Sequence, residues 1–173
     1  MALPWIATIC RAAKQSKIDV AIGVNERNAE ASDASLYNSL LFIDDQGDIM
    51  GSHRKLVPTG GERLVWAQGD GSTLYAFDTP LGKLDGLICG ENYMPLARSA
   101  MYAWGTQIHV APTWDSSGGW LLSLRHIAPE GGGCLSSGAA QRCTYKISRI
   151  DMCSRRSILK ARNGSIVAIA CLL

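Results

Sequence analysis

Residues 83–96 read KLDGLICGENYMPL, and this stretch decides the fold. An apolar run containing Leu84, Leu87 and Ile88 stops at Cys89, and Gly90, Glu91 and Asn92 follow at once. The spacing predicts a strand over 83–89 and a helix over 94–104, with Gly105 as its stop. Such a corner sets Cys89 at the carboxyl end of a strand, where open α/β sheets place their ligands. The amides that open the next helix favour a thiolate or a developing oxyanion there. Gly90 leaves room for a substrate, and Gly86 allows close backbone packing. A corner cysteine is also compatible with a small, inert, buried side chain, so the rest of the chain must weigh in.

Working outward, Ile6, Ile9, Cys10 and Ala13 recur at helical spacing within 4–17. A β-rich run over 18–24 follows, and 25–35 is polar and loop-like. Residues 36–43 (LYNSLLFI) and 49–54 (IMGSHR) flank Asp44-Asp45-Gln46-Gly47, a hairpin signal. Residues 73–78 and 83–89 form a second strand pair around Thr79-Pro80-Leu81-Gly82, and 107–111 (QIHVA) reads as a further strand. Helix, strand, hairpin, strand pair, helix, strand is the order of an α/β layer architecture, a sheet covered by helices. No internal repeat occurs. From Gly131 onward the periodicity fades, and the apolar patch at 166–170 has no assignment.

The 173 residues suit one domain with a real core, and 47% hydrophobic with 18% charged residues is a globular composition. No apolar run approaches the ~20 residues of a membrane span. The N-terminus lacks the features of a secretory signal, so the expected setting is cytoplasmic and the six cysteines are expected to be reduced. No Cys-x-x-Cys pair occurs, and His53, His109 and His126 show no metal-like spacing. The net charge of +2 hides a split. Residues 1–141 carry ten Lys/Arg against fourteen Asp/Glu, a net −4, whereas 142–173 carry seven against Asp151 alone, a net +6. Few aromatics accompany that basic end, so no nucleic-acid partner is expected.

Two further residues sit where elements end. Lys55 closes the second hairpin strand, and Glu62 follows seven residues later. A lysine, a carboxylate and a cysteine at three element ends can meet in one pocket. Alone, Lys55 reads as a surface charge and Glu62 as the ion-pair partner of Arg54 or Arg63.

The segments HRKLVPTGGERLVWAQGDGSTL (53–74), DTPLGKLDGLICGENYMPLAR (78–98) and QIHVAPTW (107–114) resemble the nitrilase branch of the carbon–nitrogen hydrolase superfamily. IGVNER (22–27), LYNSLLF (36–42) and RHIAPEG (125–131) extend the resemblance in order from about residue 6 to about 133, with Lys-to-Glu and Lys-to-Cys spacings of 7 and 34. It implies a four-layer α-β-β-α sandwich, here a partial one, usually paired in dimers and larger homo-oligomers. It implies that Cys89 is the nucleophile, Lys55 the catalytic lysine and Glu62 a further active-site carboxylate. Gly90, Glu91, Asn92, Trp114 and His126 are the implied substrate-binding residues. The implied partner is a small-molecule nitrile, and no metal or organic cofactor is required. The implied reaction is hydrolysis to an acid and ammonia through thioimidate and thioester intermediates. An amidase or a cyanide-degrading relative would use the same groups, and an inactive fragment is the third alternative.

The sequence also departs from the pattern. The family's general base lies on an F-P-E segment upstream of the first helix, and no such tripeptide occurs here. Glu91 is the neighbouring carboxylate, although a sequence neighbour usually points elsewhere on such a turn. Gly90 stands where tryptophan is common, and Pro129 interrupts RHIAPEG. Beyond residue 133 the text turns basic and holds four of the six cysteines. The expectation is therefore an incomplete hydrolase domain over 1–133 and a divergent tail over 134–173, as in a partial or frame-shifted gene product. A fragment near Asn163-Gly164-Ser165 resembles a later family strand.

Overall fold

A computed structural model describes residues 4–28, 33–131, 134–136 and 165–169. Helix α1 spans Pro4–Ser16, and strands β1 (Ile18–Arg27), β2 (Leu36–Ile43) and β3 (Ile49–Arg54) follow. Next come β4 (Phe77–Thr79), β5 (Gly82–Gly86), helix α2 (Pro95–Ala103), β6 (Ile108–Val110) and helix α3 (Gly118–Glu130). Strands β7 (Cys134–Ser136) and β8 (Ser165–Ile169) complete the described elements. The strands form two sheets, ordered β3-β2-β1-β8 and β4-β5-β6-β7.

Period-2 alternation explains how the sheets stack. Val20, Ile22, Leu41 and Ile43 face outward against Ala13, Ile6, Ile9 and Cys10 of α1. The alternate residues Ala21, Leu40 and Phe42 face Leu84, Ile88 and Val110 of the other sheet. Behind that second sheet, Leu87 packs with Ala97 and Met101 of α2, and Ala111 packs with Trp120 and Leu124 of α3. The layers therefore run helix, sheet, sheet, helices, the α-β-β-α sandwich the resemblance implied. Gly86 permits the close approach of the sheets, since a Cβ there would lie 2.7 Å from Leu40 Cδ2 and 2.7 Å from Val110 O.

Several boundaries differ from expectation. β1 runs through Arg27 instead of yielding to a loop at 25, because Asn25, Glu26 and Arg27 pair with Asn38, Tyr37 and Leu36. Its polar end is held from outside the strand. Arg54 donates to Glu26 Oε1 at 2.9 and 2.5 Å, Ser39 donates to Glu26 Oε2 at 2.6 Å, and Trp66 Nε1 donates to Asn25 at 2.8 Å. Burial alone would raise the Glu26 carboxyl, but the Arg54 and Ser39 bonds outweigh it and hold it below its ordinary value. Helix α3 had no counterpart in the reading of the sequence. Ser117 caps it by accepting from Trp120 N, its buried residues Trp120, Leu124 and Ile127 drive its packing, and Pro129 falls in the last turn. A proline there removes a hydrogen bond only where the helix is already ending.

Of the text beyond residue 133, β7 pairs parallel with β6 and β8 pairs parallel with β1. The basic stretch between them lies outside the described residues.

Candidate active site

Lys55 is the first residue after β3, and its N–H continues the ladder to Asn38 O at 2.8 Å. Its side chain is wholly buried, a rare place for lysine unless paired. The partner is Glu62, in a short 3-10 turn, whose Oε2 lies 2.6 Å from Lys55 Nζ. The same oxygen accepts from Thr59 N at 2.7 Å, so the loop's own backbone aims the carboxylate.

Cys89 opens another 3-10 turn, Cys89–Tyr93, three residues beyond the end of β5. It sits at φ 51, in the left-handed region that favours glycine. Its N–H donates to Pro112 O at 2.8 Å, and the Thr113 hydroxyl donates to its Sγ at 3.1 Å. The half-buried side chain packs against the cluster between the sheets. The helix expected from residue 94 therefore begins only after this turn, at Pro95.

Glu91 joins the two places. Its carboxylate accepts from Leu56 N at 2.5 Å, Ile88 N at 2.7 Å and His53 Nε2 at 3.1 Å. Leu56 follows Lys55 and Ile88 precedes Cys89, so one buried acid ties the lysine's strand end to the cysteine's. With 1% of Glu91 exposed and both of its oxygens engaged by buried donors, it stands behind the site rather than in its wall. Asn92, also wholly buried, donates from Nδ2 to Leu87 O at 2.7 Å and to Cys89 O at 3.0 Å. It too is a support, not a surface a substrate reaches.

The remaining implied residues are placed differently. Gly90 faces the lysine loop, since a Cβ there would lie 2.9 Å from Thr59 Oγ1. Trp114 is exposed in the loop after β6, one residue past Thr113. His126 is on the outer side of α3 with 73% of its side chain exposed and Glu130 Oε1 at 3.8 Å, joined to none of the groups around Cys89. Three contributors escaped the reading of the sequence. Thr113 lay within QIHVAPTW without a visible partner. His53 looked like a strand end. Asn38 pairs with Lys55 across the ladder, so both side chains share the inner face, and its buried amide N–H has no hydrogen-bond partner among the described residues.

Outside this site, Arg98 joins α2 to α3 through Glu130 at 2.9 Å, and Tyr102 donates to the same carboxylate at 2.9 Å. The Arg98 bond, then the Tyr102 bond, hold the Glu130 carboxyl below its ordinary value. Burial and then the bond to Glu130 push the Tyr102 phenol up to about 12. Among the described residues, no group of three or more His, Cys, Asp or Glu is placed to hold a metal ion, and no helix is long and apolar enough to cross a membrane.

A four-layer sandwich with a cysteine on a strained turn and a buried lysine paired with a glutamate at a neighbouring strand end has the architecture of a hydrolase acting on carbon–nitrogen bonds. The chain belongs to the carbon–nitrogen hydrolase family, whose sequence model matches residues 1–168. It is 46% identical over 143 residues to the bifunctional nitrilase/nitrile hydratase NIT4A of Nicotiana tabacum, and 44% identical over 143 residues to nitrilase 1 of Arabidopsis thaliana. Each alignment covers 83% of this chain and 40% of the relative, so the chain spans about two-fifths of the length of these proteins. A carbon–nitrogen hydrolase of Helicobacter pylori G27 shares the fold with a TM-score of 0.66 at 22% identity, covering 76% of this chain and 49% of that one. An amidase of Nesterenkonia sp. AN1 does so with a TM-score of 0.66 at 18% identity, covering 77% and 52%.

Proposed function

We propose that this site hydrolyses an organic nitrile to a carboxylic acid and ammonia, with Cys89 as nucleophile, Lys55 as electrostatic partner and Glu62 as the group that positions Lys55. The observation that carries the reading is the tie through Glu91. It joins the buried Lys55, paired with Glu62, to the turn that presents the Cys89 sulfur. The similarity to plant nitrilases supports nitriles over other carbon–nitrogen substrates.

A nitrile carbon is a weak electrophile, and a thiolate is a suitable attacker. Sulfur adds to the carbon and the nitrogen takes a proton, giving a thioimidate. Water adds, ammonia leaves, and a thioester remains; a second water releases the acid and returns the thiol. Charge develops first on nitrogen and then on oxygen, and the Lys55 ammonium would stabilise both. Each water and the thiol must lose a proton to a carboxylate. Glu91 is committed to its three donors, and the resemblance puts the base on an F-P-E segment that these 173 residues do not contain. Assembly into a homo-oligomer is part of the proposal, supported by the exposure of Leu64 at 91% and Leu96 at 86%.

The test is ammonia release from aromatic, arylacetic and aliphatic nitriles, with Cys89→Ala and Lys55→Met beside the parent chain. Release that vanishes in both variants supports the reading. Product that accumulates as amide, or turnover of amides alone, would replace it with a hydratase or an amidase. No release from folded protein would leave a family member without turnover of its own.

A further inference from the structure

Asn92 leads from the nucleophile's turn into a second set of buried groups. Because its Nδ2 donates to two carbonyls, its Oδ1 is left to accept from His109 Nε2 at 2.9 Å. His109 Nδ1 lies 2.6 Å from Asp85 Oδ1. The Thr106 hydroxyl bridges Asp85 Oδ2 and, at 2.8 Å, Met101 O in α2. From the outer side, Arg98 Nη1 donates to Asn92 O at 2.7 Å, and Glu130 holds Arg98. Asp85, Asn92, His109 and Thr106 are 0, 0, 5 and 8% exposed.

The protons in this chain can be counted. Turning the Asn92 amide over would set its oxygen against two carbonyl oxygens, so the orientation is determined. His109 Nε2 must then carry a proton. One more proton lies between Nδ1 and Asp85 Oδ1, whichever atom holds it. With the Thr106 hydroxyl donating to Asp85 Oδ2, the pair is electroneutral as a unit, the form that burial favours. An apolar core would fill the same space without the desolvation these groups require. What the polar groups add is direction, because the chain of bonds ends on the carbonyls of Leu87 and Cys89.

We propose that Asp85, His109 and Asn92 are positioning residues for Cys89. Asn92 grips Leu87 O and Cys89 O while His109 and Asp85 fix its amide, and the set keeps residue 89 at positive φ and so aims its sulfur at Thr113. A non-glycine residue stays in that region only where its surroundings over-determine it. The inference rests on reading Cys89 as the nucleophile.

The test compares Asp85→Asn with His109→Leu. In Asp85→Asn the new amide can donate to Nδ1, so a neutral ring still donates from Nε2 to Asn92. In His109→Leu nothing reaches Asn92 Oδ1. The readout is the rate of Cys89 alkylation by iodoacetamide, followed by peptide mass spectrometry, with Cys10 of α1 as reference in the same sample. His109→Leu should slow Cys89 by about tenfold with Cys10 unchanged, and Asp85→Asn by no more than about threefold. In ¹⁵N-histidine NMR, Asp85→Asn should keep a protected Nε2–H signal. Wild-type labelling of Cys89 in His109→Leu overturns the proposal, as does an equal loss in both variants. If Cys10 labelling rises in His109→Leu, that variant has lost its fold and the Asp85→Asn signal decides: its absence overturns the proposal. Selective labelling that responds to His109→Leu, in a protein that turns over no nitrile, would remove the nitrile reading and leave the positioning role intact.

Discussion

The lysine end and the cysteine end of this site are built by different rules. Lys55 is placed by one short contact to Glu62, whose side chain is 25% exposed and whose position the loop's own backbone sets. The turn at Cys89 is held by Glu91 and Asn92, which are 1 and 0% exposed and reach residues from 53 to 109. A charge can be placed by a single opposite charge. A backbone at φ 51 cannot, because its strain is shared along the turn and is countered only by several bonds at once. The cysteine's end is therefore the more heavily constrained one, and the lysine's end depends more on electrostatics.

The sharpest way to break this contrast is Glu91→Gln. An amide offers one oxygen where three donors converge, so at least one of them meets an N–H. Bonds to a charged acceptor contribute roughly 1.5–3 kcal/mol each, and the variant should lose about 3 kcal/mol in urea unfolding together with Cys89 reactivity. A loss under about 1 kcal/mol would mean that the turn does not depend on the buried acid.

Gly90→Ala probes the place where the two ends touch. The added methyl carbon would lie 2.9 Å from Thr59 Oγ1, so the lysine loop must give way. Overpacking of this kind should cost about 1 kcal/mol, and Thr59→Ala in the same chain should recover most of it. Costs that simply add in the double variant would show that the loop and the turn move independently.

The smallest effect is expected at the Arg98–Glu130–Tyr102 clamp, because Glu130 is 36% exposed and its ion pair is screened. Its carboxyl is held below the ordinary 4.5, so its contribution is present above pH 4.5 and lost as pH falls through the lower folded value. Tyr102 has the opposite sign. Its phenol is raised from 10.0 to about 12, so its contribution is present below pH 10 and lost as pH rises towards 12. Urea midpoints measured across pH should fall at both ends, and Glu130→Gln should flatten both slopes. A variant with unchanged slopes would place the pH dependence elsewhere in the chain.

What could be read from the residues was mostly local. The hairpin of β2 and β3 was legible because Asp44-Asp45-Gln46-Gly47 separates two β-rich runs, and the structure places the strands on the expected residues. Element order alone pointed to a sheet covered by helices, and the four-layer order was implied only by the family resemblance. Helix α3 was not, since Gly118, Gly119 and Pro129 weaken its local signal and its formation depends on packing Trp120 against Ala111. The parallel pairing of β8 with β1 joins residues more than a hundred positions apart, and no short window contains it.

The same division runs through the site. The corner at Cys89, the position of Lys55 at a strand end and the interval to Glu62 follow from residue order, because each is a matter of where one element stops. The parts taken by Glu91, Asn92 and His109 do not. In the text, Glu91 and Asn92 look like two polar residues beside a nucleophile, open to substrate. Packing two sheets against each other closes that space and turns both side chains into anchors. A buried polar group must find its partners wherever the fold brings them, and here partners from β3, β5 and β6 join those within the turn itself.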